Sequence, residues 1–461
     1  MPRRAEGNRT MQQNRMSRRS FLQISSAATA GAVLAACAPV AGDMAGSDMA
    51  GDMPDELQAE ITVWHQDWDG MNRILAWATE AFAEVEPGVT VNTQPIGYGD
   101  LLAKLLPSIA AGNEGDINYH YTDWVVATDV SQVFLEITDL AGGRNALEER
   151  FFPAAFTAVN APEGKAYYYP YISGLSDCVL VLNTDHFSDA GGDWTQWSDL
   201  GAVIDDCLKV RQIDDDGNMT HAAWTLTGML GLFPQTIMYQ LGGAPYDVET
   251  ATFTYNSEAG IAALQFMHDI IYEHRLFDWD FIDNVWQDMA NGILSMEGMG
   301  SWTYSVLANQ FPLNLEALPM PSHPDAVERI LCPSHIGSWA LSRRLRDDDD
   351  KLNASIAFID MIMSTEGQLQ AMEFYSGSLM SPAVYADPRI EETTYGAVSK
   401  KCALGVWPHA RYAGHHVANP APAWREAERA LTGEISIQEA VENIDAEMQG
   451  LEDTALERLN A

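Results

Sequence analysis

Thirteen tryptophans are spread through this 461-residue chain, and several stand beside carboxylates or histidines in short clusters. Trp64, His65, Gln66, Asp67 and Trp68 form one run, His120, Asp123 and Trp124 another, and Trp302 and Tyr304 lie two apart. Phe233, Trp339 and Trp424 are further candidates. Indole and phenol rings offer flat apolar faces at low conformational cost, while Asp, Gln and His offer directional hydrogen bonds. That combination suits a polyhydroxylated solute, whose C–H faces cover rings and whose hydroxyls meet the polar groups. An anionic solute would want arginines or helix N-termini instead, and few arginines lie near these positions.

The elements that must position these residues follow from periodicity. EITVWHQDW reads as a buried strand running into a polar loop, and MNRILAWATEAFAEVEPGVTVNTQPIG as an amphipathic helix, a Pro-Gly stop and a second strand. This is a β-α-β opening, the mark of an α/β fold whose strands are covered by helices. LLAKLLPSIAAG is helical, and GDINYHYTDW is a strand ending in polar and aromatic residues. AYYYPYISGLSDCVLVLNTD is β-rich and interrupted by Pro170 and Gly174. Three later segments, from Glu258, from Asp347 and from Ile435, have helical periodicity with acidic starts, which suit the positive end of the helix dipole. The run Asp347 to Asp350 reads as such a start and not as a metal site. Ligands of open α/β sheets lie outside the carboxyl ends of strands. Trp64 to Trp68 and His120 to Trp124 follow strands in this reading, as do Trp302, Tyr304 and Trp339. Asp67 and Asp123 could equally cap helices, and His65 and His120 could be structural.

The N-terminus has a different character. From Phe21 to Ala36 the chain carries no charge, too short a stretch for the roughly 20 residues of a membrane-spanning helix. With the arginines before it and Ala35-Ala36-Cys37 after it, the segment has the three regions of an export signal. Ser17-Arg18-Arg19-Ser20-Phe21-Leu22-Gln23 resembles a twin-arginine signal, and Leu34-Ala35-Ala36-Cys37 resembles a lipoprotein lipobox, which implies acylation of Cys37. The glycine- and aspartate-rich tract Gly42 to Met53 reads as a flexible tether. Residues 1–36 hold six arginines and one glutamate, so their removal takes the formal charge from −39 to −44. Such a charge disfavours nucleic acid and anionic surfaces. Cys178, Cys207, Cys332 and Cys402 show no metal-ligand spacing and allow three full pairings, so no chemistry is assigned to them.

About 400 residues after the tether suit two domains, and the order of segments resembles the family 1 extracellular solute-binding proteins, the maltose-binding type receptors of ABC importers. In DNVWQDMANGILSMEGMGSWTYSVL, residues Met296, Gly300 and Trp302 match that family's pattern, and in AYYYPYISGLSDCVLVLNTDHF so do Tyr167, Pro170, Asn183, Asp185 and Phe187. GSWALSRRLRDDDDKLNASIAFIDMIMSTEGQ and LTGEISIQEAVENIDAEMQ resemble its later stretches. The resemblance implies a type II periplasmic-binding-protein-like α/β fold, two lobes with a three-segment hinge. It sets a signal peptide at 1–36, a linker at 37–57, a first lobe at 58–172 plus 322–375 and a second at 173–320 plus 380–461. The implied crossings fall near Tyr171–Ser176, Pro319–Ser322 and Tyr375–Pro382. It also implies a C-terminal cleft aromatic, matched by Trp424.

The expected function is a lipid-anchored extracellular receptor, a monomer, that binds a neutral carbohydrate and delivers it to a permease served by a separate ATPase. It would lie on the outer face of the cytoplasmic membrane, held by the lipid at Cys37, with no cofactor, no metal, no nucleic acid and no catalysis. Phosphate-cradle, G-x-S-x-G, H-E-x-x-H and C-x-x-C motifs do not occur. Two alternatives stay open: a receptor for a cation such as a polyamine, and a secreted glycosidase, which needs two carboxylates about 5–10 Å apart.

Overall fold

The computed structural model describes residues 57–122, 130–155, 165–173, 178–247, 249–331, 336–407 and 421–459. Strand β1 (Ala59–Gln66) and strand β2 (Val89–Ile96) pair in parallel over their full length, joined by the helix Asp69–Val85. A parallel pair needs such a crossover, and the helix must then cover the sheet. It does so with Met71, Ile74, Leu75, Ala78 and Phe82, one stripe at helical spacing. The helix Tyr98–Ala111 follows β2 and leads to β3 (Ile117–Tyr121), which lies parallel to β1 on its other side. Because helices cover both faces, β1 is buried from Val63 through His65 and all five residues of β3 are buried.

Later chain completes this sheet. Strand β4 spans Tyr169–Ser173, and the strand order is β2-β1-β3-β12-β4, where β12 (Ile336–Leu341) runs antiparallel to both β3 and β4. The helix Asp349–Met363 packs on this side too, with Phe358 edge-on to Phe82 at 5.3 Å between ring centroids. Its start is the acidic run: the Asp348 carboxylate accepts from the Lys351 backbone N–H, and Asp349 and Asp350 occupy the first turn. The periodic segment from Asp347 is two helices, not one. Ser364 breaks it and caps Thr365–Ala371, where a Cβ at Gly367 would collide with the Met361 and Ile362 carbonyls.

A second sheet has the order β10-β5-β11, all antiparallel, built from β5 (Val179–Asn183), β10 (Met296–Met299) and β11 (Leu315–Pro319). Central β5 is buried at every position. Bridges Ala222↔Leu294 and Thr225↔Glu297 add one more chain segment beside β10. Two short hairpins, β6 (Gln212–Ile213) with β7 (Met219–His221) and β8 (Tyr246–Asp247) with β9 (Thr252–Phe253), lie outside it. Gly298 leaves room on β10 for the Met229 sulfur, which a Cβ there would displace. Three chain segments meet between the sheets: Ile172 bridges Leu379, the Met380 N–H donates to the Tyr171 carbonyl at 2.9 Å, and the Met320 N–H donates to the Cys178 carbonyl at 3.0 Å. Cys178, Cys207 and Cys402 are buried thiols, and Cys332 lies outside the described residues. Among the described residues no helix is long and apolar enough to cross a membrane.

Candidate ligand site

Parallel pairing puts the carboxyl ends of β1, β2 and β3 on one edge of the first sheet. Three side chains meet there, with Asp67 and Trp68 beside them. The Tyr121 hydroxyl donates to Gln66 Oε1 at 2.5 Å, and the ring of Tyr98, 47% exposed, stands edge-on to Tyr121 at 5.8 Å. Asp67 is exposed; its carboxylate accepts from Asn72 Nδ2 at 2.8 Å, and its backbone N–H donates to the Ile96 carbonyl. Trp68, partly buried, covers Gly70 and meets Tyr375 edge-on at 4.9 Å. Behind the rim Trp339 meets Tyr119 edge-on at 5.0 Å and Tyr171 at a tilt at 5.9 Å.

The neighbours of these residues along β1 and β3 are buried because both faces of these strands are covered. Trp64 is 6% exposed, its ring against Gly115 and under the Lys104 ammonium at 4.4 Å. His65 is buried and donates from Nδ1 to the Gln66 carbonyl, and burial lowers its pKa. His120 donates to the Tyr121 carbonyl and stacks on Phe134 at 4.9 Å. Trp339 does not follow a strand as expected: it lies in the middle of β12 and is fully buried, because IGSWAL is covered on both faces. Phe233 is likewise fully enclosed, against Trp224 and Phe266, in the buried helix Phe233–Gln240. Trp424 is partly buried in the helix Ala421–Leu431. Asp123, Trp124 and Cys37 lie outside the described residues.

In the second sheet β10 leads through Gly300 and Ser301 into the helix Trp302–Gln310. Trp302 opens the helix, partly exposed, edge-on to Trp286 of the helix Val285–Ala290 at 5.8 Å; Tyr304 is partly buried. The same turn is docked on the segment after Tyr375. Ser376 donates to the Ser301 carbonyl at 2.6 Å and accepts from the Ser305 N–H at 3.0 Å, while the Ser301 and Ser378 hydroxyls are 3.0 Å apart. Just behind Trp286 is Glu297, 1% exposed. Burial pushes its pKa up to about 7, and hydrogen bonding from Thr303 and Trp286 only partly opposes this.

The family model for bacterial extracellular solute-binding proteins matches residues 77–395. The chain belongs to that family. As a bacterial extracellular solute-binding protein it has the two-domain α/β fold of solved binding proteins. UgpB from Mycobacterium tuberculosis, in complex with glycerophosphocholine, superposes with a TM-score of 0.71 at 17% identity, covering 87% of this chain and 99% of that one. MalE3 of T. maritima, maltose-bound, gives 0.68 at 20% identity over 85% and 100%. The cyclic alpha-maltosyl-1,6-maltose binding protein of Arthrobacter globiformis gives 0.66 at 17% over 86% and 99%. A curated binding protein of Brucella abortus (strain 2308) is 28% identical over 136 residues, 29% of this chain and 31% of that protein's length.

Sequence reasoning had no place for Tyr98, Tyr121, Trp286, Glu297 or Tyr375 in the site. Tyr98 stands two residues after β2, so the strand-end rule applied to PIGYGD would have found it. Trp286 and Tyr375 carry no such signal, since their ring contacts join residues distant in the chain.

Proposed function

We propose that this protein is the receptor of an ABC importer, closing two lobes on a neutral carbohydrate and delivering it to a permease powered by a separate ATPase. The lobes are residues 58–172 with 322–375 and 173–320 with 380–461, tethered to the membrane through a lipid on Cys37. The observation that supports this is the shared packing of Tyr375 to Ser378. Tyr375 meets Trp68 at the end of the first sheet, and Ser376 and Ser378 hold the turn that carries Trp302 in the second. Aromatic groups from two sheets thus flank one connection, and hinge closure there would bring rings to both faces of a sugar. Gln66, Asp67, Tyr98 and Tyr121 supply hydrogen-bonding groups. The maltose-bound MalE3 and the cyclic maltosyl-maltose binding protein among the related structures agree with this reading.

A thermal-shift screen of the exported chain against maltose, maltotriose, glucose and trehalose tests it, since a solute bound only by the native state raises stability by mass action. A shift without products supports a receptor; hydrolysis of the oligosaccharide, or no shift with any sugar, refutes it. A second reading, a cationic or choline-bearing solute, is favoured by the charge of −39 and by the glycerophosphocholine complex of a related structure. Affinity for such a solute would fall steeply with salt, and affinity for a neutral sugar would not.

A further inference from the structure

Tyr121 and Gln66 meet where β1 and β3 end side by side. Gln66 is the last residue of β1 and is partly exposed; Asp67 after it is exposed, and the exposed ring of Tyr98 stands edge-on to Tyr121. Trp68, two residues further on, packs against Tyr375, and the adjoining Ser376 holds the turn that carries Trp302, so this edge is turned toward the second sheet. The protons decide how the Gln66 amide is set. Tyr119 is buried, so its hydroxyl must find an acceptor. It donates to the Tyr121 hydroxyl, and Gly337 leaves it the space, since a Cβ there would collide with the Tyr119 oxygen. Tyr121 then gives its own proton to Gln66 Oε1 at 2.5 Å. The reverse setting of the amide would place an N–H against that O–H, donor against donor. Gln66 Nε2, which bonds to no described residue, is left with two N–H groups.

We infer that Gln66 is a specificity-determining residue, a fixed hydrogen-bond donor to one oxygen of the solute, and that Tyr121 is the positioning residue that fixes it. This rests on the carbohydrate reading above. A sugar hydroxyl can donate or accept, and an amide free to turn would serve either role. Held by Tyr121, the amide only donates, so the solute group at this rim has to accept and keeps its own proton for a second partner. A solute whose group there lacks an acceptor is rejected, because the N–H groups lose water and gain nothing.

The test is titration calorimetry of the exported chain with the sugar that gives the largest thermal shift among maltose, maltotriose, glucose and trehalose, and with its monodeoxy and monofluoro analogues. Fluorine in place of a hydroxyl keeps an acceptor and removes the donor; hydrogen removes both. At one position the deoxy analogue should bind about tenfold more weakly than the parent and the fluoro analogue within about threefold of it, the worth of one accepted hydrogen bond. In Gln66→Glu, which offers only acceptors, the fluoro analogue at that position should become as weak as the deoxy one. In Tyr121→Phe the amide can turn, and the gap between the two analogues should narrow. The Glu variant changes a partly exposed side chain of the same shape, so its reading stands even if Tyr121→Phe, which strips the buried Tyr119 hydroxyl of its acceptor, fails to fold. Fluoro and deoxy analogues equally weak at every position in wild type, or no position at which Gln66→Glu closes the gap, overturns the inference and leaves the receptor reading intact. A gap unchanged in folded Tyr121→Phe overturns the role of Tyr121. No binding of any of the four sugars overturns the receptor reading, and the inference with it.

Discussion

The serine between two histidines at the far end of the second sheet should control the acid stability of this protein. Asn183 Nδ2 lies 3.3 Å from His186 Nε2, His186 Nδ1 lies 2.9 Å from Ser295 Oγ, Ser295 Oγ lies 2.6 Å from His221 Nε2, and His221 Nδ1 lies 3.0 Å from the Gly292 carbonyl. With both rings neutral, one proton arrangement satisfies all four contacts: the Asn183 amide donates to His186, His186 donates to Ser295, the serine hydroxyl donates to His221, and His221 donates to the carbonyl. Burial lowers the pKa of each, and His186 lowers that of His221 further, while Asp185 and Asp189 partly restore that of His186. Since the folded values lie below the unfolded 6.5, the unfolded chain binds more protons below that pH. The stability they contribute is therefore present above pH 6.5 and is lost as pH falls through it toward the folded values. Ser295→Ala deletes both histidine bonds; water can replace the one to part-exposed His186, while the lost bond to His221 costs about 1 kcal/mol and its orphaned buried acceptor about 1–3 kcal/mol, a total of about 2–4 kcal/mol. Urea midpoints at pH 7.5, 6.5 and 5.5 for wild type, Ser295→Ala and the double variant His186→Asn/His221→Asn measure both effects. His65 and His323 are also held below the usual histidine value and Glu297 is raised to about 7, so the double variant should lose part of the slope, the difference from wild type being the share of this pair. A cost below about 0.5 kcal/mol for Ser295→Ala, or a slope unchanged in the double variant, refutes the reasoning.

Trp302→Ala should weaken sugar binding more than tenfold, or abolish ligand-induced quenching of tryptophan fluorescence, with little change in the melting temperature of the free protein, because the ring is only partly buried. Gly337→Ala would drive a methyl group into the Tyr119 hydroxyl, with both residues fixed in the sheet; a loss of about 1–3 kcal/mol is expected in chemical denaturation. Ser376→Ala removes the hydroxyl that joins the Ser301 carbonyl to the Ser305 N–H. It should cost about 1–3 kcal/mol and raise amide exchange in the first turn of the helix Trp302–Gln310.

What could be read from sequence and what could not divides along the range of the interactions. The β-α-β opening, the stripe Met71 to Phe82 and the acidic helix start at Asp347 to Asp350 depend on residues a few positions apart, so period and capping chemistry alone predicted them. The break at Ser364 was missed because its cause, the approach of Gly367 to the Met361 and Ile362 carbonyls, is steric and periodicity does not register it. The strand-end rule proposed Asp67, Trp68 and Trp302, which do stand partly or fully exposed after strands, but it treated every strand end alike. Trp339 was misjudged because it lies mid-strand between β3 and β4, whose Tyr119 and Tyr171 side chains meet its ring, a fact of sheet order. The rim of Tyr98, Tyr121 and Gln66 and the pairing of Trp68 with Tyr375 belong to the tertiary structure alone. Sequence specified which residues carry rings and hydrogen-bonding groups. Folding, by covering β3, β5 and β12 on both faces and setting the carboxyl ends of β1, β2 and β3 on one edge, decided which of those candidates stay exposed.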